Sequence, residues 1–273
     1  MNKTLKVIAL ISLIVSNAGY AQDYDKGEEA YEAGDYATAL REWKPLAEKG
    51  DAAAQGMLGI MYAEGKGVPQ NDVEAAKWTR LSADQGGADE QVALGNFYSN
   101  GKGVPQDYAE AMKWYRLAAD QGDALAQVVI GGLYDKGQGV PEDYAEAMKW
   151  YRLAADQGNR NGQFRLGLKH YDGEVIPQDD AEAVKWFKLA AESGHAVAQS
   201  FLGIMYQRGD GLPENRMLAY MWEASAAAQG NADAKKDRDS IKFLLSIEEL
   251  LQGEKMVERC AEQDYKNCSQ LFN

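Results

Sequence analysis

Apolar residues return along this chain with two periods at once. Over short stretches they recur at three and four residues, as with Leu94 and Tyr98, or Ala111, Trp114, Tyr115 and Ala118. Over long stretches the whole arrangement recurs at 36 residues. Gly59, Gly95, Gly131, Gly167 and Gly203 keep that step, as do Pro69, Pro105, Pro141, Pro177 and Pro213. Trp78, Trp114, Trp150, Trp186 and Trp222 follow it, and so do Gln55, Gln91, Gln127, Gln163 and Gln199. The segment DYAEAMKWYRLAADQG stands at 107–122 and again, unchanged, at 143–158. The short period predicts amphipathic helices, and the long one a structural unit that is stacked.

Each unit reads as helix, loop, helix. The first helix of the second unit is expected over about 88–99. It stops at the glycines of GKGVPQ, because Gly suits a left-handed helix ending and Pro105 keeps Val104 out of the helix. The second helix starts at Asp107, where Asp107 and Glu110 have the spacing of a capping box. Asn71/Glu74, Asp143/Glu146 and Asp179/Glu182 repeat it, whereas Asn215 is followed by Leu218. The second helix ends at Gly86, Gly122, Gly158, Gly194 and Gly230. A Trp in every unit invites comparison with a stacking platform for sugars or bases. Equal spacing beside alanines reads instead as an interhelix core.

The pattern A-x-x-L-G-x-x-Y, G-x-G-V-P, A-x-x-W-Y-x-x-A-A-x-x-G resembles the Sel1-like repeat family, a relative of the tetratricopeptide repeat. The resemblance implies an all-α fold, a right-handed α/α superhelical solenoid of helix–loop–helix repeats. It covers 51–230 as five repeats, at 51–86, 87–122, 123–158, 159–194 and 195–230. The fourth departs from it, with His170 at the tyrosine position and a loop, DGEVIPQ, that lacks the second glycine. Residues 22–50 read as a degenerate N-terminal repeat or cap. There Trp43 takes the Tyr115 position and Pro45 falls inside the second helix. Residues 231–273 read as C-terminal capping helices, the last starting at Ser246 with Glu249.

The ends carry the remaining signals. Lys3 and Lys6, the apolar run Leu5–Val15 and the small residues Gly19 and Ala21 form a signal-peptide pattern over 1–21, with cleavage expected near Ala21. The run is too short to span a bilayer, and no other segment of the sequence is apolar enough to do so. Export to the periplasm, or full secretion, follows. Cys260 and Cys268 are the chain's two cysteines and are expected to form a disulfide in that oxidising setting. Their separation requires the helix carrying Cys260 to end and the chain to turn back before Cys268. Formal net charge is −13, and loss of Lys3 and Lys6 would make it more negative. Nucleic acid is therefore not an expected partner.

Candidate chemistry is sparse. His170 and His195 are the only histidines, and no HExxH, GxSxG or metal-spaced cysteine pattern occurs. The GKG loops lack the rest of a phosphate-binding motif. Arg208-Gly209-Asp210 falls in a Gly-rich repeat loop, where such a tripeptide arises easily. No catalytic residue, cofactor or metal is expected. A cysteine-rich branch of the family is associated with penicillin binding and β-lactamase activity, which makes such a hydrolase the alternative. Members of that branch carry a disulfide in each repeat, and this chain has no cysteine before Cys260.

Residues shared by all units build a stack, so residues that vary along the first helix are candidates for recognition. In this family that helix tends to line the concave face. Two variable positions single out Met57, Met61, Phe97, Arg165, Lys169, Phe201 and Met205. They read as a groove with apolar patches and a basic spot at Arg165 and Lys169, suited to an adaptable peptide contact. They read equally as packing against the next unit. The expected role is a non-catalytic exported scaffold for a protein or peptide partner in the cell envelope, with a purely structural spacer as a further alternative.

Overall fold

The computed structural model describes residues 24–174, 176–266 and 268. The signal-peptide and cleavage expectations, Val175 and Asn267 lie outside the described residues. Among the described residues the chain is all-α, a succession of helix–loop–helix repeats. It forms two compact units. Of the described residues, one takes in 24–126 and 137–141, and the other 127–136 and those from 142 to 268.

In the first unit, α1 covers 24–32 and α2 covers Tyr36–Glu48. They are followed by α3 (Ala52–Glu64), α4 (Asp72–Ala83), α5 (Ala88–Asn100) and α6 (Tyr108–Asp120). Helix α7 (Ala124–Lys136) passes from the first unit into the second. The second unit continues with α8 (Tyr144–Asp156), α9 (Arg160–Asp172), α10 (Asp180–Glu192), α11 (Ala196–Arg208) and α12 (Arg216–Ala228). It closes with α13 (Ala232–Lys242) and α14 (Ile247–Glu262). Odd-numbered helices α3 to α11 are the first helices of the five repeats, and even-numbered α4 to α12 the second.

The caps follow the sequence with one correction. Asn71, Asp107, Asp143, Asp179 and Asn215 each accept from a backbone N–H in the first turn of the following helix. The expected return bond from Glu74, Glu110, Glu146 and Glu182 is not the one formed. These carboxylates pair with the lysine one turn on, as in Glu110–Lys113 at 2.7 Å and Glu182–Lys185 at 2.7 Å. A cation at that spacing competes directly for the glutamate head. The reciprocal box closes at Ser246 and Glu249, where no such lysine follows.

Between repeats, the shared glutamine acts as a buried clamp. Gln55 donates to the Ala47 carbonyl at 3.0 Å, and Gln199 to Ala191 at 3.1 Å. Its own oxygen accepts from a glutamine at the end of the second helix. The pairs are Gln85–Gln55, Gln121–Gln91, Gln157–Gln127 and Gln229–Gln199, at 2.7–2.8 Å. A buried amide needs both ends satisfied, which explains why the residue recurs. In the fourth repeat Ser193 replaces the donor, and Gln163 Oε1 is buried without a partner.

Tight contacts explain the recurrent glycine. A Cβ on Gly95 would stand 2.6 Å from the Tyr115 ring, and one on Gly131 2.6 Å from the Tyr151 ring. Gly167 faces Phe187 in the same way. The rings of Tyr115, Tyr151 and Phe187 thus lie against the bare backbone of the first helix. Trp43 does this against Gly27 in the N-terminal cap and donates to the Tyr24 carbonyl at 3.1 Å. Pro45 is accommodated inside α2. At the other end, α14 stops at Glu262. Asp264 and Tyr265 then turn the chain with φ of 50° and 65°, and Cys260 and Cys268 are paired with Cα atoms 5.3 Å apart.

Candidate functional site

The aromatic position on the second helix is not uniform. Down the repeats it reads Thr79, Tyr115, Tyr151, Phe187 and Glu223. In the second repeat the Tyr115 hydroxyl reaches across α5 to Asn96 at 2.8 Å and Ser99 at 3.2 Å. Thr79 ends much shorter. The space that a ring would take is open, and it forms a groove of about 330 Å³ between α3 and α5. Ile60 and Ala63, the first-repeat counterparts of Asn96 and Ser99, line it together with Thr79, Ala93 and Phe97. A second hollow of about 210 Å³ continues from it past Met57, Ile60 and Ala93 to Tyr24.

The chemistry of this groove is mixed. Its floor is apolar, with Ile60 43% exposed although it is a large aliphatic residue. Amides from Gln70, Asn96 and Asn100 stand at its margin, and side-chain amides offer both donors and acceptors to a peptide backbone. Asp72 and Lys102 lie at the larger opening, Asp89 and Glu90 at the smaller.

Of the recognition residues expected from sequence, Met57 and Phe97 line these hollows. Met61 and Met205 do not contribute a surface, since both are fully buried. Met61 packs with Trp43 and Leu58, and Met205 with Phe187 and Trp222. One helical residue is a rotation of about 100°, and that step separates the outward Ile60 from the inward Met61. Phe201 is partly buried in an aromatic cluster, its ring 5.1 Å from Phe187 and 5.8 Å from Phe164. Phe164 in turn stacks on His195 at 4.4 Å.

The basic spot is also altered. Arg165 is exposed. Lys169 is engaged within its unit, 2.8 Å from Asp135 as an ion pair and 5.1 Å over the Tyr144 ring. Asp135 also accepts from the Tyr151 hydroxyl at 2.9 Å. The Lys169 charge is therefore already matched. The tryptophans are not a platform either. Arg80 covers the Trp114 ring at 5.5 Å and Arg152 covers Trp186 at 4.6 Å, while Trp222 is fully buried.

The two histidines occupy structural places. His195 caps α11, its Nδ1 accepting from Ala198 N–H at 3.1 Å. Burial, and then the neighbouring Arg160, push its pKa down to about 4. His170 keeps the tyrosine position of the repeat, and its carbonyl accepts from Asp179 N–H at 2.9 Å. Among the described residues no three His, Cys, Asp or Glu side chains gather as a metal site. No helix among them is long and apolar enough to cross a membrane.

Comparison with known proteins agrees with this geometry. The Sel1 repeat family model matches residues 52–87, 91–123, 124–159, 161–195 and 196–231. The chain belongs to the Sel1 repeat family, whose members typically act as scaffolds for protein–protein interaction. It is similar to a crystallised Sel1 repeat protein from Oxalobacter formigenes at 34% identity and a TM-score of 0.72, over 80% of this chain and 87% of that one. A protective antigen of uropathogenic Escherichia coli with an SLR fold matches at 30% identity and a TM-score of 0.45. That match covers 91% of this chain and 62% of that one. The comparison with curated proteins gave no match.

Proposed function

We propose that this protein is a non-catalytic scaffold, exported to the cell envelope, that binds an extended segment of a partner protein in the groove between α3 and α5. The observation that carries the reading is the opening over Thr79, at the position where the next repeats place a ring. The segment would insert an apolar side chain against Ile60, Ala93 and Phe97 and meet the amides of Asn96 and Asn100 with its backbone. Asp89 and Glu90, in the adjoining hollow, favour a basic residue beside that anchor. Export rests on the pattern of residues 1–21.

Thr79→Tyr tests this directly. It writes the repeat's own packing into the first unit, with the new ring on Gly59, so the fold is expected to hold. Peptides are selected from a random library on the wild-type protein and measured by fluorescence anisotropy. The expected result is a shared apolar anchor with flanking Lys or Arg, and binding lost in a Thr79→Tyr protein that melts no lower than wild type. Equal binding by the two proteins would overturn the groove. Turnover of a chromogenic β-lactam by the purified protein would overturn the non-catalytic reading.

A further inference from the structure

The C-terminal cap leaves apolar residues uncovered. Phe243 is 89% exposed, Leu244 56%, Ile247 80% and Leu251 53%. These are not scattered. Helix α14 is two-faced: Leu250, Gly253, Met256, Val257 and Cys260 point into the unit. Ile247, Glu248, Leu251, Gln252 and Lys255 line a shallow concavity on the outside. The spacing of those five residues, one and four apart, makes a continuous stripe along the helix. Phe243 and Leu244 are exposed in the α13–α14 turn that precedes it.

The charges on this stripe are arranged for one kind of occupant. Glu248 lies three residues before Leu251, and Lys255 three residues after Gln252. Rotate the helix by half a turn about an axis between Leu251 and Gln252, and Glu248 falls where Lys255 was. We propose that this face binds a second copy of the same chain, with the two α14 helices packed antiparallel. Leu251 meets Leu251 near the axis. Glu248 of each copy meets Lys255 of the other, about 10 Å apart along each helix, so two ion pairs flank the apolar centre. A parallel pairing would set Glu248 against Glu248. An isologous, self-complementary patch is what a two-fold dimer requires. An anionic lipid surface is disfavoured, because the same helix also carries Glu249, Glu254 and Glu258.

The test is sedimentation of the purified protein over a concentration series. The wild type is expected to show a reversible monomer–dimer equilibrium, and Leu251→Glu to remain monomeric with unchanged helix content. Glu248→Lys and Lys255→Glu alone are each expected to weaken the dimer about ten-fold. The double exchange restores it. A mixture of the two single variants forms heterodimers in preference to either homodimer, since every charge then meets its opposite. A monomer at all concentrations overturns the proposal, as does a dimer indifferent to these exchanges. A monomer that floats with phosphatidylglycerol vesicles, and loses this in Leu251→Glu, would assign the face to lipid instead.

Discussion

Ser200 donates its hydroxyl to Glu223 at 2.9 Å, and the other carboxylate oxygen, Oε1, is buried without a partner. Glu223 is fully buried at the position that Tyr115, Tyr151 and Phe187 hold in other repeats. Burial raises its pKa to about 8, Ser200 opposes the shift, and Asp237 adds to it. Between the ordinary 4.5 and about 8, the folded chain keeps a proton that the unfolded chain has released. Stability therefore falls as pH rises through that window and levels off above it. Glu223→Gln should remove the slope and stabilise the protein above pH 8 by on the order of 2–4 kcal/mol. Urea unfolding of both proteins across this range checks it. A parallel pH dependence in the variant would contradict the assignment.

His195 has the opposite sign. Its pKa is lowered from 6.5 to about 4, so its contribution is present above 6.5 and is lost as pH falls toward 4. The loss has a structural cause, because a protonated Nδ1 cannot accept from Ala198. Asp51 and Asn159 cap the equivalent helices α3 and α9. His195→Asn should keep the cap and abolish acid destabilisation on the order of 2–3 kcal/mol, measured as the difference in unfolding free energy between neutral and acidic pH.

Ser193→Gln should complete the one interrupted clamp. At its repeat counterparts a glutamine donates to the buried amide oxygen, as Gln229 does to Gln199 at 2.7 Å. Supplying that donor to Gln163 Oε1 is expected to stabilise the second unit by about 1 kcal/mol. Gln163→Leu in the same background should cancel the gain. A gain that survives it would show that residue 193 acts through something else.

Gly95→Ala should destabilise by about 1–3 kcal/mol. Tyr115 cannot retreat from the added methyl, since its ring is buried and its hydroxyl is held by Asn96 and Ser99. Gly86→Ala separates the two possible costs: no atom lies within 4 Å of its added Cβ, so any loss there comes from its φ of 102° and not from a clash. Removing the ring with Tyr115→Ala should make the second effect of Gly95→Ala small, so a double-mutant cycle isolates the clash.

The repeat was legible because its invariant residues meet one another across a constant 36-residue step. The repeat's glycine, proline, tryptophan and first-helix glutamine columns are kept in all five copies, and pairs such as Gly95 against Tyr115 and Gln121 against Gln91 recur in most, so spacing alone points to helix, loop, helix and stack. The face that meets a partner is harder to read. Met61 and Ile60 are adjacent and both apolar, and only the packing of Trp43 and Leu58 decides which is covered. Lys169 reads as a free cation until Asp135, in the preceding repeat, is found 2.8 Å away. Thr79 and Glu223 break the column of rings, and neither is among the recognition residues expected from sequence. The meaning of Thr79 depends on where the Tyr115 hydroxyl ends, which a sequence does not display.

The second glycine of a repeat loop bears on the repeat before it. A Cβ on Gly139 would strike the backbone at Tyr108, the first residue of α6, at 2.5 Å, and Gly103 meets Asp72 at the start of α4 in the same way. The loops of the second and third repeats thus rest on the start of the preceding unit's second helix and ask of it only a bare main chain, whereas the fourth has Val175 in place of that glycine. Such a joint accepts any copy as its neighbour. A gene encoding it can change length by whole units without rewriting the flanking ones, and the segments at 107–122 and 143–158 are identical. If the groove over Thr79 serves as proposed, partner reach would change by copy number, and partner choice by single replacements that open one unit at a time.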